Sequence, residues 1–421
     1  MTLFELMGIL LTVVAVLGYF NHRLIGLPDT VGITFMGLLA TLMLTLIGRI
    51  FPPAVAWAAA IGDRLDVPEI VFHGLLSVLL FAGSLHINFS ELARQRVPVF
   101  VLSTVGVLLS TLIVGYGTWW LLAVIGNPLE LRYCFLFGAL ISPTDPIAVL
   151  GVLKTVGAPK SLETAIAGES LFNDGTGVVT FLVLLGIVTG TAEPTFAGVT
   201  ALLAKQIVGA VVVGLVIGYL GYFMLKGVES YPVEILITLA LATGGYALAE
   251  RLTVSAPIAV VIMGLVIGND GARHAMSRRT REHLFSFWEL LDQVLNLVLF
   301  GLIGIRMISL DAAHISLVAA IALLPLVILS RLASVAIPSA AMRRMFPQTP
   351  HLVKLLTWGG LRGAISIALA LSLPDFEGRE IFVVATYAVV LFSLLVQAPT
   401  LGPLLRILGV GSRQRERTPS A

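Results

Sequence analysis

Ile141-Ser142-Pro143-Thr144-Asp145-Pro146 stands inside an apolar run that extends over residues 131–155. Two prolines three residues apart remove two backbone donors and clash with the preceding turn, so a helix over this run breaks at Asp145. Interrupted backbone deep in hydrocarbon is tolerated only where it faces protein or a water-filled cavity. The stretch therefore predicts an interrupted membrane helix with a carboxylate at its break. An ionisable group at that depth is a functional candidate.

The rest of the chain agrees with a membrane setting. Of 421 residues, 57% are hydrophobic and 12% are charged, whereas a soluble domain carries about 25% charged residues. The single cysteine, Cys134, excludes a disulfide framework and a cysteine metal cage. A net charge of +2 gives no footprint for nucleic acid. The first apolar stretch, Leu3 to Phe20, contains Glu5, has no Lys or Arg before it and lacks a small-residue cleavage site. It reads as a retained helix, not a signal peptide.

A crossing needs roughly 20 mostly apolar residues. Cutting the chain at its polar and Pro/Gly breaks predicts an all-α polytopic protein of thirteen spans: 3–20, 28–49, 68–87, 97–124, 131–155, 162–190, 198–225, 232–250, 255–268, 285–305, 313–340, 351–373 and 380–408. With the N-terminus outside, 17 of the 26 basic residues fall on the inward side and 7 on the outward side. Arg331 and Arg362 remain within spans. This bias puts the C-terminus and its basic tail after Arg406 in the cytoplasm.

A second polar stretch lies in the sixth span: Glu169-Ser170-Leu171-Phe172-Asn173-Asp174-Gly175-Thr176-Gly177. Ser170 and Asp174 are one helical turn apart on one face, and Glu169 and Asn173 on the adjoining face. Hard cations such as sodium prefer oxygen ligands of this kind. The basic partners come late: Arg331 in span eleven and Arg362 in Gly359-Gly360-Leu361-Arg362-Gly363 of span twelve. Three glycines around one arginine weaken the helix there. Spans five and twelve are thus both interrupted and run in opposite directions, the pattern of an inverted repeat with its site at the midplane. At roughly 1.5 Å per residue, Asp145, Asp174 and Arg362 all lie about 15–18 Å deep. Glu169 and Arg331 lie slightly nearer the cytoplasm, at similar depth to each other.

These three motifs, in this order, resemble the monovalent cation/proton antiporter-1 family, which holds the NhaP-type prokaryotic sodium/proton antiporters and the animal sodium/proton exchangers. The resemblance covers nearly the whole chain. It implies the NhaA-like antiporter fold, with inverted repeats and crossed broken helices, and a homodimer in the inner (plasma) membrane. Residues 1–90 and 198–305 would form the dimer domain, and 97–190 and 313–408 the transport core; 409–421 would be a short tail. It implies a transporter, not an enzyme, that exchanges Na⁺ or Li⁺ for H⁺ without a cofactor. Asp174 would bind cation and proton alternately, with Asn173 stabilising the site. Asp145, Ser170 and the Thr144 backbone would assist coordination, so that Na⁺ sits at Asp145, Ser170 and Asp174. Glu169 would form a buried ion pair, with Arg331 favoured on depth over Arg362. Members often carry a glutamate in span three, in a Phe-Glu-Ala-Ala run. Here the run is Phe81-Ala82-Gly83-Ser84, which leaves the choice among sodium, lithium and potassium open.

One carboxylate that cannot hold both ions at once couples the two flows. Desolvation favours the neutral form of a carboxylate, and a bound cation disfavours the proton. Asn173 leaves one titrating group fewer than in electrogenic relatives, and the resemblance implies electroneutral exchange, one cation per proton. Arg362, with Pro143 and Pro146, belongs to the stabilisation of broken backbone. Glu289 and Asp292, placed near the inner end of span ten, read as snorkelling or helix-end stabilisation. His73 and His86 are candidates for sensing pH or for packing at the interface. The competing readings are a potassium/proton exchanger, or a bicarbonate- or organic-substrate carrier, on the same fold, and an ion channel. A channel would need a repeated pore motif or a carbonyl filter.

Overall fold

A chain this apolar must satisfy its backbone internally, and helices are the only regular elements among the described residues: 3–26, 29–48, 67–191, 195–306, 314–342 and 351–410 of a computed structural model. In chain order the longer ones are α1 (Leu3–Phe20), α2 (Asp29–Gly48), α3 (Val67–Leu85) and, after a short helix Phe89–Arg94, α4 (Arg96–Ile125). An interrupted pair follows, α5a (Leu131–Leu140) and α5b (Ile147–Val156). Next come α6 (Lys160–Val188), α7 (Phe196–Lys226), α8 (Tyr231–Arg251), α9 (Ala256–His274), α10 (Arg278–Arg306) and α11 (His314–Ala341). A second interrupted pair, α12a (Leu352–Trp358) and α12b (Ala364–Leu371), precedes α13 (Arg379–Ile407).

Among the described residues, ten helices are long and apolar enough to cross a membrane; together with α2 and the two interrupted pairs they follow the order of the thirteen expected spans. Two differ in extent. The short ninth span continues through a π-turn at Ile267–Gly271 to His274. Helix α10 begins at Arg278, seven residues before the expected start of its span, so Asp292 sits halfway along it and not near its end. Residues 28, 49 and 313, and the basic tail beyond 410, lie outside the described residues.

Element ends follow local chemistry. Gly126, with φ +87°, closes α4 in the left-handed conformation. The Thr195 side chain accepts the Gly198 N–H at the start of α7, and Ser255 accepts the Ile258 N–H at the start of α9. One face of α7 exposes Val208, Val212, Val216, Leu220 and Phe223, as a lipid-facing stripe would. Its other face packs on α9 through Gly214 and Gly218, the close small-residue approach typical of helices in membranes. A Cβ at Gly214 would fall 2.7 Å from the Ala259 carbonyl oxygen. Gly214→Val should therefore push the two helices apart and destabilise by about 1–3 kcal/mol. Thermal unfolding of the purified protein in detergent checks this, and an unchanged Tm would mean that the contact is looser than drawn.

Candidate ion-binding site

The two interruptions meet. The Asp145 N–H donates to the Leu361 carbonyl oxygen at 2.8 Å, joining the α5 break to the α12 break. Each proline leaves a helix carbonyl without its usual donor four residues on. The Ser142 carbonyl would have taken the N–H that Pro146 lacks. The Pro143 carbonyl would have taken the Ile147 N–H, but this donates to Asp145 Oδ1 at 2.9 Å. Arg362 fills both gaps: its Nη1 donates to the Ser142 and Pro143 carbonyl oxygens. The cation also sits at the C-terminal, electronegative end of α5a, where the helix dipole favours it. Arg331 serves α12a in the same way, its Nε donating to the Leu356 carbonyl oxygen at 3.1 Å. Each broken helix thus has an arginine for its freed carbonyls.

Glycines admit this crossing. A Cβ at Gly363 would lie 2.5 Å from Asp145 Oδ2, and one at Gly360 would overlap Arg331 Nε. On α6, a Cβ at Gly177 would lie 2.9 Å from Pro143 Cδ, so α6 rests directly on the broken segment.

Behind the breaks runs a buried polar chain. Arg331 Nη1 and Nη2 donate to Glu169 Oε1 and Oε2 at 2.8 and 2.9 Å, the bidentate geometry of a strong ion pair. Arg331 is 6% exposed and Glu169 1%. Asn173 Nδ2 donates to Glu169 Oε1 at 2.9 Å and to Thr144 Oγ1 at 2.7 Å. Asn173 Oδ1 accepts the Thr144 N–H at 3.1 Å. Thr144 Oγ1 and Ser170 Oγ lie 3.1 Å apart. Glu169 and Asn173 are therefore bound to protein partners on every side.

In front of the breaks lies a cavity of about 350 Å³. Thr144, Asp145 and Asp174 line it from α5 and α6, and Gly363 and Ser366 from the α12 region. Leu80 and Gly83 of α3 and Asp292 and Asn296 of α10 also line it. Asp174 is 6% exposed. Among the described residues, Glu169 has both oxygens engaged and Asp145 has one, while Asp174 accepts no hydrogen bond. Ser170 is not on the cavity wall; it stands behind Thr144.

Pro143 and Pro146 line the cavity at the break itself. His86 lies elsewhere, with Nδ1 2.9 Å from the Ala82 carbonyl oxygen and its ring edge-on to Phe285. The His73 side chain lies outside the described residues. Sequence reasoning missed Asp292, Asn296 and Ser366 as cavity residues. For α10 the signal was there: Asp292, Asn296 and Leu299 recur at helical spacing and fall on one face, which here is the cavity face.

The profile "Sodium/hydrogen exchanger, transmembrane" matches residues 9–407. The chain is 43% identical over 413 residues to the Na⁺/H⁺ antiporter NhaP of Pseudomonas aeruginosa, covering 97% of each. It is 35% identical to the Na⁺/H⁺ antiporter NhaH of Halobacillus aidingensis, over 96% of each. Among solved structures, the sodium/proton antiporter MjNhaP1 of Methanocaldococcus jannaschii superposes with a TM-score of 0.74 at 22% identity, covering 97% of this chain and all of that one. That likeness carries the fold, with its inverted repeats and crossed broken helices. From motifs, architecture and these comparisons together, the chain belongs to the sodium/hydrogen exchanger family.

Proposed function

We propose that this protein exchanges Na⁺ for H⁺ across the membrane by competition of the two ions at Asp174. The observation that carries this reading is the unequal use of three carboxylates around the breaks, of which Glu169 and Asp174 are buried and Asp145 is half-buried. Glu169 is held by an arginine, and Asp145 gives one oxygen to the start of α5b. Asp174 faces the cavity with its oxygens taken by no described donor. An ion or a proton is the partner such a group needs at this depth. The P. aeruginosa and H. aidingensis relatives are named Na⁺/H⁺ antiporters, which supports sodium as the cation.

Asp145 and Thr144 would add ligands beside Asp174, with Ser170 holding Thr144 in place. Asn173, an amide where a second acid would carry charge, favours one cation per proton. The cavity is lined by α3 and α10 and by α5, α6 and α12. Movement of the second group against the first would expose Asp174 to either side, as alternating access requires. The grouping into dimer and core domains, a homodimer, the plasma membrane, an outer N-terminus and a cytoplasmic tail complete the proposal.

Everted membrane vesicles from a host without its own antiporters test the reading. A pre-formed proton gradient should collapse on addition of Na⁺, with Li⁺ also active, between about pH 6 and pH 9. Collapse with K⁺ alone would make the protein a potassium/proton exchanger instead. No collapse with any monovalent cation would overturn the proposal.

A further inference from the structure

The cavity has a second polar wall that the exchange reading does not use. Asp292 and Asn296 lie one turn apart on α10 and line the same cavity as Asp145 and Asp174. Asn296 is 1% exposed. Its Nδ2 donates to the Asp292 carbonyl oxygen at 2.8 Å, which fixes the orientation of the amide. Asn296 lines the cavity, and its Oδ1 is then a buried acceptor that no donor among the described residues reaches. A buried acceptor left without a partner is destabilising. A hard cation, with part of its hydration shell, is a partner suited to an amide oxygen next to a carboxylate.

We propose that Asp292 and Asn296 form a second coordination station for the transported cation, where α10 lines the cavity that Asp174 also lines. The inference rests on Asp174 being the transport carboxylate. Asp174 and Asp145 belong to the helices expected to move, whereas α10 belongs to the group expected to stay. A station on the fixed wall concentrates cations at the cavity and holds one, partly hydrated, before it passes to Asp174. The carboxylate supplies charge, and the Asn296 oxygen supplies a neutral ligand that discriminates by ion size.

The test is Na⁺-dependent exchange in proteoliposomes at alkaline pH, where protons compete least. Wild type, Asp292→Asn, Asn296→Ala and Asn296→Ser are compared, with Asp174→Asn as reference. Both Asp292→Asn and Asn296→Ala should raise the apparent KM for Na⁺ by about three- to tenfold, the range for one lost ion partner, at near-normal maximal rate. Asn296→Ala should also change the Na⁺-to-Li⁺ preference, and Asn296→Ser, which keeps an oxygen, should restore part of the affinity. A raised KM in Asp292→Asn with Asn296→Ala and Asn296→Ser both unmoved would mean a field effect of one charge, and would overturn the station. So would an unchanged KM in all three variants. If Asn296→Ala fails to fold, Asn296→Ser decides, by its KM and its ion preference. Exchange that persists in Asp174→Asn would instead overturn the underlying reading.

Discussion

Asp174→Asn is expected to abolish proton-coupled sodium exchange while leaving the protein folded. The amide keeps the size and shape of the side chain, and no described hydrogen bond to Asp174 is lost. What disappears is the ability to titrate and to neutralise a cation. The same competition sets the wild-type pH dependence. One proton displaces one cation, so apparent Na⁺ affinity should fall as pH falls, by up to about tenfold per pH unit below the pKa of the site. Above that pKa the affinity should level off. Coupled Na⁺ flux in proteoliposomes, for variant and wild type across the pH range, measures both effects. Coupled exchange in the variant, or a wild-type affinity indifferent to pH, would remove Asp174 from the mechanism. Asn173→Asp should also be harmful, for a different reason. It deletes the donor to Glu169 Oε1 and Thr144 Oγ1 and sets a second acid one turn from Glu169, where like charges repel.

Breaking the Glu169–Arg331 pair should damage the fold more than the ion site. Both residues are buried, and removing one partner leaves the other charge uncompensated at a cost of about 3–5 kcal/mol. Arg331 also supports the α12a end through the Leu356 carbonyl, so Arg331→Gln should be the worse of the two single variants. Glu169→Gln/Arg331→Gln should be less destabilised than the sum of its parts, because neither charge is then left alone. Thermal unfolding in detergent, set beside Na⁺ affinity measured by transport, separates the roles. Full Tm with lost transport would move the pair from the scaffold into the mechanism.

The polar residues of the site were legible because a membrane makes them conspicuous. In a chain with 12% charged residues, Asp145, Glu169, Asp174, Arg331 and Arg362 each stand out against an apolar span. Depth along a helix is a one-dimensional quantity, so counting residues was enough to bring Glu169 and Arg331 to the same level. Direction around the axis is harder. Asp292 read as a helix-end residue because the amphipathic start of α10, from Arg278, looked like a loop. Only with the helix extended does its position at mid-depth, facing the cavity, follow.

Sequence alone determined the membrane setting, the all-helical architecture, the two interruptions and the acids and bases placed there. These depend on local physics: transfer of side chains into lipid, the missing proline donor and the helical repeat. Tertiary structure decided which groups satisfy each other. That Arg362 takes the Ser142 and Pro143 carbonyls while Arg331 takes Glu169 and Leu356 depends on how two broken helices cross. That Ser170 stands behind Thr144 while Asp174 faces open space depends on the rotation of α6 against the α5 break. Both are contacts between residues far apart in the chain, fixed by close packing through glycines such as Gly363 and Gly177, and no local pattern encodes them.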